Sequence, residues 1–186
     1  MIARRGSDTL DQALILDTNC ILAGFQFDNT KRYYTVPEAF EEITRGDMRS
    51  SMEGLLERGV LVVKAPGGDA LETVCTASLG TGDWNRLSTA DRSLVALAHE
   101  LCGILVTDDY SMQNVSRVLG IEYRPFGKAA IRETVTWGYK CKGCARTYEA
   151  KQKDCPICGS EVVQKRIGAR KGKAERREKT SKPFSR

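Results

Sequence analysis

Short apolar runs recur along the first two-thirds of this chain with helical segments between them, and that alternation limits the fold more than any other feature. Residues 13–17 (ALILD), 60–63 (VLVV), 104–106 (ILV) and 121–126 (IEYRPF) read as strands. Helical spacing fills the intervals at 35–46, 47–59, 69–80, 87–103 and 111–120. The first of these, TVPEAFEEITRG, has Thr35 as its N-cap, Pro37 near the first turn and Arg45-Gly46 as its stop. Met48, Met52, Leu55 and Leu56 share one face of the second, and Gly103 and Gly120 end the last two. Strands this short and this continuously apolar form a parallel sheet with helices on both faces. GTGDW (80–84) lacks the third glycine and the preceding strand of a nucleotide fingerprint, so it reads as a flexible lead-in to the next helix.

After Lys128 the pattern changes to short, polar and cysteine-rich. This divides the chain into an α/β domain over 10–127, a linker around 127–133 and a small module over 134–166. Cys141, Cys144, Cys155 and Cys158 form C-x2-C-x10-C-x2-C, the spacing of two knuckles that close a tetrahedral Zn²⁺ site. A Cys₄ shell has no open position, so this zinc is structural, and a β zinc ribbon this small needs it to fold. Gly143 and Gly159 supply backbone freedom in the knuckles. Cys20, Cys75 and Cys102 stand singly among apolar neighbours and read as core thiols. That usage fits a cytoplasmic protein. The start of the chain has no apolar stretch of signal length, and no run approaches a membrane span.

Charge is distributed unevenly. Residues 165–186 carry ten Lys/Arg against two Glu, a charge of +8, so 1–164 sum to −3 within a total of +5. The tail, 167–186, is basic and too poor in apolar residues to order alone. A basic arm on an acidic body suits a polyanion. In the ribbon, Lys140, Lys142, Arg146, Tyr148, Lys151 and Lys153 mix cations with an aromatic, a composition able to grip RNA backbone and stack a base, or simply to stay solvated.

The acids supply the chemistry. Asp17 ends one strand and Asp109 another, and ligands of open parallel sheets bind beyond the carboxyl ends of strands. With Leu94 at 0° on a helical wheel, Asp91 falls near 60°, inside the apolar face, while Arg92, Ser93, His99 and Glu100 fall opposite. An inward carboxylate needs a partner. Ser88-x-x-Asp91 also resembles a capping box, which would supply one. On the helix at 35–46, Glu42 lies nearest the apolar face, with Glu38 and Glu41 turned further towards solvent. Four clustered carboxylates repel one another. A hard divalent cation, Mg²⁺ or Mn²⁺, relieves that repulsion and suits phosphate chemistry. His99 is the sole histidine and falls on a polar face, and there is no phosphate-binding loop and no nucleophile elbow.

LILDTNCIL (14–22), TVPEAFEEI (35–43), LSTADRSLVALA (87–98) and LVTDDYSMQNVSRVLG (105–120) resemble the four acidic motifs of the PIN-domain endoribonucleases. The resemblance covers about residues 12–126. It implies a PIN-like parallel sheet flanked by helices, with catalytic acids at Asp17, Glu42, Asp91 and Asp109 and Asn19 assisting the first. The T-x-D form of the fourth motif favours Asp109, with Asp108 as a supporting or alternative ligand, so the implied Mg²⁺/Mn²⁺ set is Asp17, Asp91, Asp109 and Asp108. TGDWNRLSTADRSLVALA and TDDYSMQNV, followed by a zinc ribbon, are similar to the archaeal branch of that family implicated in forming the 3′ end of small-subunit (16S) rRNA. This implies pre-rRNA within the small ribosomal subunit as partner, with assembly proteins nearby. The rivals are a toxin-like member acting on tRNA or mRNA, against which the ribbon and tail count, and a non-catalytic rRNA-binding assembly factor, against which the full set of acids counts.

Overall fold

Strand ends set the architecture. The computed structural model describes residues 12–43, 46–127, 131 and 133–170. The elements run β1 (Leu14–Leu16), α1 (Thr18–Leu22), β2 (Tyr33–Thr35), α2 (Pro37–Glu41), α3 (Gly46–Glu57), β3 (Leu61–Val63), α4 (Gly68–Thr81), α5 (Thr89–Glu100), β4 (Ile104–Val106), α6 (Tyr110–Leu119) and β5 (Glu122–Arg124). The five strands are parallel in the order β3-β2-β1-β4-β5. The order reverses between β1 and β4, so the crevice of this sheet opens at their carboxyl ends.

Each strand is only three residues long, and its side chains alternate between two cores. Ile15 and Leu105 pack among Val74, Leu94, Leu97 and Val115, under α4, α5 and α6. Leu14, Leu16, Ile104 and Val106 face the other way, onto Ile21, Phe40, Met52 and Leu55. Both faces are therefore covered, which is why the strands are apolar throughout. In α5, Leu94 to Ala98 are at most 1% exposed. Truncating Leu97 there would cost about 2–5 kcal/mol.

Three sequence expectations need correction. Thr35 is not an N-cap. It closes β2, where Tyr33, Tyr34 and Thr35 have the aromatic and β-branched character of a strand, and its hydroxyl donates to Leu16 O at 3.3 Å. Val36 caps α2 instead, and α2 stops at Glu41, while Gly46 opens α3. Residues 80–84 are not a loose lead-in. α4 runs through Thr81 and ends on Gly82 at φ +77, after which Asp83 N and Trp84 N donate to Ser78 O at 2.9 and 3.2 Å. Only Cys20 of the three single cysteines is buried; Cys75 is half-buried and Cys102 is exposed.

A second, antiparallel sheet has the order β7-β6-β8, from β6 (Thr134–Cys141), β7 (Thr147–Tyr148) and β8 (Val162–Arg170). β8 continues past 166, so residues 167–170 belong to this sheet and not to a tail. The remainder of the tail, 171–186, lies outside the described residues, as do 1–11 and part of the linker. The two sheets meet along a polar seam. Asn114 of α6 pairs with the backbone of Val135 as a strand would, donating to its O at 2.6 Å and accepting from its N at 2.7 Å. Gln164 Nε2 donates to Gly82 O at 3.1 Å. Any Cβ at Gly82 would collide with Trp137 O, so both the left-handed backbone and this close approach require glycine.

Candidate active site

Asp17 and Asp109 occupy the crevice because each is the first residue beyond a central strand or its short extension, and each caps the helix that follows. Asp17 is 3% exposed. Its backbone N donates to Val106 O at 3.2 Å, locking it across to β4. One carboxylate oxygen accepts Asn19 N at 3.2 Å and the other accepts the Thr107 hydroxyl at 2.7 Å. Thr107 in turn accepts Asp109 N at 3.0 Å. Asp109 Oδ1 accepts Ser111 N at 2.6 Å and Met112 N at 3.0 Å. Thr107 thus couples the two strand-end acids; TDD in the sequence carried its signal only as part of a motif.

Asp91 joins them from the first turn of α5. The capping box with Ser88 is formed, with Ser88 N donating to Asp91 Oδ2 at 2.7 Å and Asp91 N to Ser88 Oγ at 3.1 Å. The box occupies one oxygen, and among the described residues Oδ1 accepts no hydrogen bond. Burial pushes the Asp17 carboxyl up to about 6; the Thr107 and Asn19 hydrogen bonds oppose this, and the negative charges of Asp91 and Asp109 add to it. The three acids therefore share one electrostatic neighbourhood. The same burial, with Asp17 and Asp108 beside it, pushes the Cys20 thiol up to about 12, leaving it inert.

The other two acids are Asp108 and Glu42. Both oxygens of Asp108 accept backbone N–H groups of the loop after β5, from Phe126 at 2.8 Å and Gly127 at 2.9–3.0 Å. Asp108 thus anchors that loop. Glu42 is exposed at the end of α2. Its backbone stays helical as the C-cap of α2, so its place at the edge of the apolar face leaves the side chain in solvent. Glu38 takes the inward place, accepting the Ser93 hydroxyl at 3.1 Å, and its Oε2 is buried without a partner among the described residues. Ser93 is itself buried, against the expectation of a polar face.

The cysteines converge as their spacing predicts. The four Sγ atoms lie within 4.8 Å of one another, with Cys141–Cys158 at 3.4 Å and Cys144–Cys155 at 3.6 Å. Ideal tetrahedral zinc thiolate has sulfurs about 3.8 Å apart. Cys141 Sγ accepts Gly143 N at 3.3 Å and Cys144 N at 3.4 Å, as a knuckle thiolate does. The residue after each second cysteine is left-handed, Ala145 at φ 60 and Gly159 at φ 70. The donor set fits Zn²⁺. Among the described residues no three acids bring their oxygens that close.

Of the basic set, Arg146, Lys151 and Lys153 are exposed, Lys140 is half-buried and Lys142 is paired with Glu161. Tyr148 is not a free stacking platform. It packs against the ribbon core, and its hydroxyl bonds to Cys155 Sγ at 2.9 Å.

A 3-2-1-4-5 parallel sheet with acids at the β1 and β4 ends defines the PIN class of nuclease folds, and the model of the PIN domain of ribonuclease matches residues 14–101. Endoribonuclease Nob1 of Pyrococcus abyssi is 36% identical over 80% of this chain and 91% of its own length. That of Methanothermobacter thermautotrophicus is 36% identical over 82% and 92%. The chain belongs to the Nob1, or Nin-one-binding, family of PIN-domain endoribonucleases. Ribonuclease VapC1 of Thermoplasma acidophilum is also similar, 35% identical over 65% of this chain and 61% of its own.

Proposed function

We propose that this protein is a divalent-metal-dependent endoribonuclease that forms the 3′ end of small-subunit rRNA within its precursor, in the cytoplasm. The observation that carries the proposal is the neighbourhood of Asp17, Asp91 and Asp109, where burial and like charge push Asp17 up to about 6. Folding holds these carboxylates beside one another against their repulsion, and a cation is the natural relief. One oxygen of Asp91 and one of Asp109 are held by backbone amides, which fixes the direction of each carboxylate. Thr107 does the same for Asp17. Asp17, Asp91 and Asp109 would hold Mg²⁺ or Mn²⁺, with Glu42 approaching from the exposed end of α2. The ion, when bound, supplies an acidified water and neutralises charge on the phosphoryl oxygens. Zn²⁺ on Cys141, Cys144, Cys155 and Cys158 keeps the ribbon folded, and its exposed Arg146, Lys151 and Lys153 meet RNA backbone.

The archaeal Nob1 relatives match over four-fifths of this chain, and a yeast relative, 31% identical over 48% of this chain and 20% of its own, is named 20S-pre-rRNA D-site endonuclease. A toxin-like ribonuclease is the rival that similarity to VapC1 supports, but that similarity stops short of the full chain. Purified protein with Mn²⁺ and an RNA spanning the 3′ end of the small-subunit rRNA tests the proposal by end mapping. One cut at the mature end is the expected result. Cuts scattered over unrelated RNA favour the toxin-like rival, and no cut with any divalent ion overturns the enzyme.

A further inference from the structure

We propose that Arg86 is a substrate-phosphate ligand beside the acidic site, held ready by Trp137 of the ribbon sheet; the inference rests on the endoribonuclease proposal. Arg86 lies between α4 and α5, immediately beyond the elbow at Asp83, and its backbone N donates to Asp83 O at 2.8 Å. Its guanidinium carbon sits 4.1 Å from the centre of the Trp137 ring. Its Nε donates to Ser111 Oγ at 3.1 Å, and Ser111 N donates to Asp109 Oδ1 at 2.6 Å. Two hydrogen bonds therefore separate this cation from a candidate catalytic acid.

Arg86 is exposed, and an exposed arginine normally keeps its rotamer freedom. Here the ring fixes its plane and Ser111 fixes its inner edge. Among the described residues, its two terminal nitrogens make no hydrogen bond and no ion pair within 4.0 Å, although the buried Asp83 carboxylate feels its charge. The other two arginines stacked on rings are different. Arg49, on Phe40, is bonded to Phe40 O and Glu53, and Arg92, on Trp84, has a terminal nitrogen on Thr89.

A phosphodiester entering the crevice meets Asp17, Asp91 and Asp109, all of its own sign. A fixed guanidinium fork next to Asp109 offsets that repulsion and matches two non-bridging oxygens. The seam supplies the rigidity. Gly82 packs under Trp137, and Asn85 Nδ2 donates to Tyr139 OH at 3.2 Å, so β6 and the Arg86 loop are one surface.

The test compares the full-length parent with Arg86→Ala, Arg86→Lys and Trp137→Leu in three measurements: RNA cleavage rate, salt dependence of RNA affinity, and the melting shift on adding Mn²⁺. Arg86→Ala should cleave about 10²-fold more slowly. It should also flatten the slope of log K against log salt by about 0.7–0.9, one phosphate contact, and keep the Mn²⁺ shift. Arg86→Lys should keep the slope but not the rate, since an ammonium lacks the fork. Trp137→Leu should slow cleavage with the charge still present. Parent rate and slope in Arg86→Ala overturn the proposal. So does joint loss of rate and Mn²⁺ shift, which would make Arg86 a prop for Asp109. If the parent itself cleaves nothing, the endoribonuclease proposal falls separately, and the salt slope still decides Arg86.

Discussion

The nuclease body and the ribbon solve the same problem, holding several anions together, by opposite means. In the body, two apolar cores on either face of the sheet carry the fold, and the acids ride on its strand ends at distances too wide to close a shell unaided. In the ribbon the apolar core is Tyr139, Cys141, Cys155 and Val162, backed by Tyr148, and two of those four belong to the four-cysteine cluster that could hold a metal. A core that small would need a bound metal to offset the entropy of ordering the segment. Closed thiolates suit a structural ion, and spaced carboxylates suit an ion that must also admit water and substrate.

The largest effect should come from breaking the ribbon. Structural zinc contributes on the order of 10 kcal/mol to folding of such modules. Cys155→Ser should release zinc and abolish amide-exchange protection from 138 to 166, while β1 and β4 keep theirs. Loss of protection throughout would mean that the body depends on the ribbon for its fold. Next comes the acid. Asp17→Asn should cut RNA cleavage about 10³-fold, or about 4 kcal/mol of transition-state stabilisation, with RNA affinity retained. Unchanged turnover would remove Asp17 from the site.

The seam is third. Asn114 is 2% exposed and bonds Asp83 Oδ2 at 2.6 Å as well as Val135. Asp83 is fully buried, its Oδ1 has no partner among the described residues, and burial pushes its carboxyl upward. Asn114→Ala would leave the buried Asp83 Oδ2 and the part-buried N and O of Val135 without this partner and should cost about 3 kcal/mol in a denaturant titration. A cost under about 1 kcal/mol would mean that water replaces the amide.

Legibility in the sequence follows from the same contrast. Patterns within one element were readable: the apolar runs of β1, β3 and β4, the strand-end acids Asp17 and Asp109, and the cysteine spacing. What depended on a neighbour was not. Asn114 lies opposite Met112 and Val115 on α6, where a wheel assigns solvent, and is buried only because β6 packs there. Ser93 is buried because Glu38 meets it across from α2. Glu42 sits at the edge of the apolar face of α2, and with no neighbouring element over it among the described residues the side chain stays exposed. Asp91 satisfied both alternatives at once, with one oxygen in the capping box and its charge felt at Asp17.

Stability with and without metal tests the site most directly. A carboxyl raised from 3.8 to about 6 by folding binds more protons in the native chain than in the unfolded one between those values. Metal-free stability should therefore fall by about 3 kcal/mol as pH climbs through that window, and stay low above it. Asparagine still caps α1, so Asp17→Asn removes the charge and spares the helix. The measurement is thermal melting of zinc-loaded parent and Asp17→Asn at pH 7.5, in divalent-free buffer and with Mn²⁺. The parent should gain about 2.7 kcal/mol at a hundredfold excess over Kd. Asp17→Asn should match or exceed the parent without Mn²⁺ and lose most of that gain. A parent that Mn²⁺ does not stabilise, or a variant that keeps the whole gain, would contradict a metal-holding site at the β1 and β4 ends.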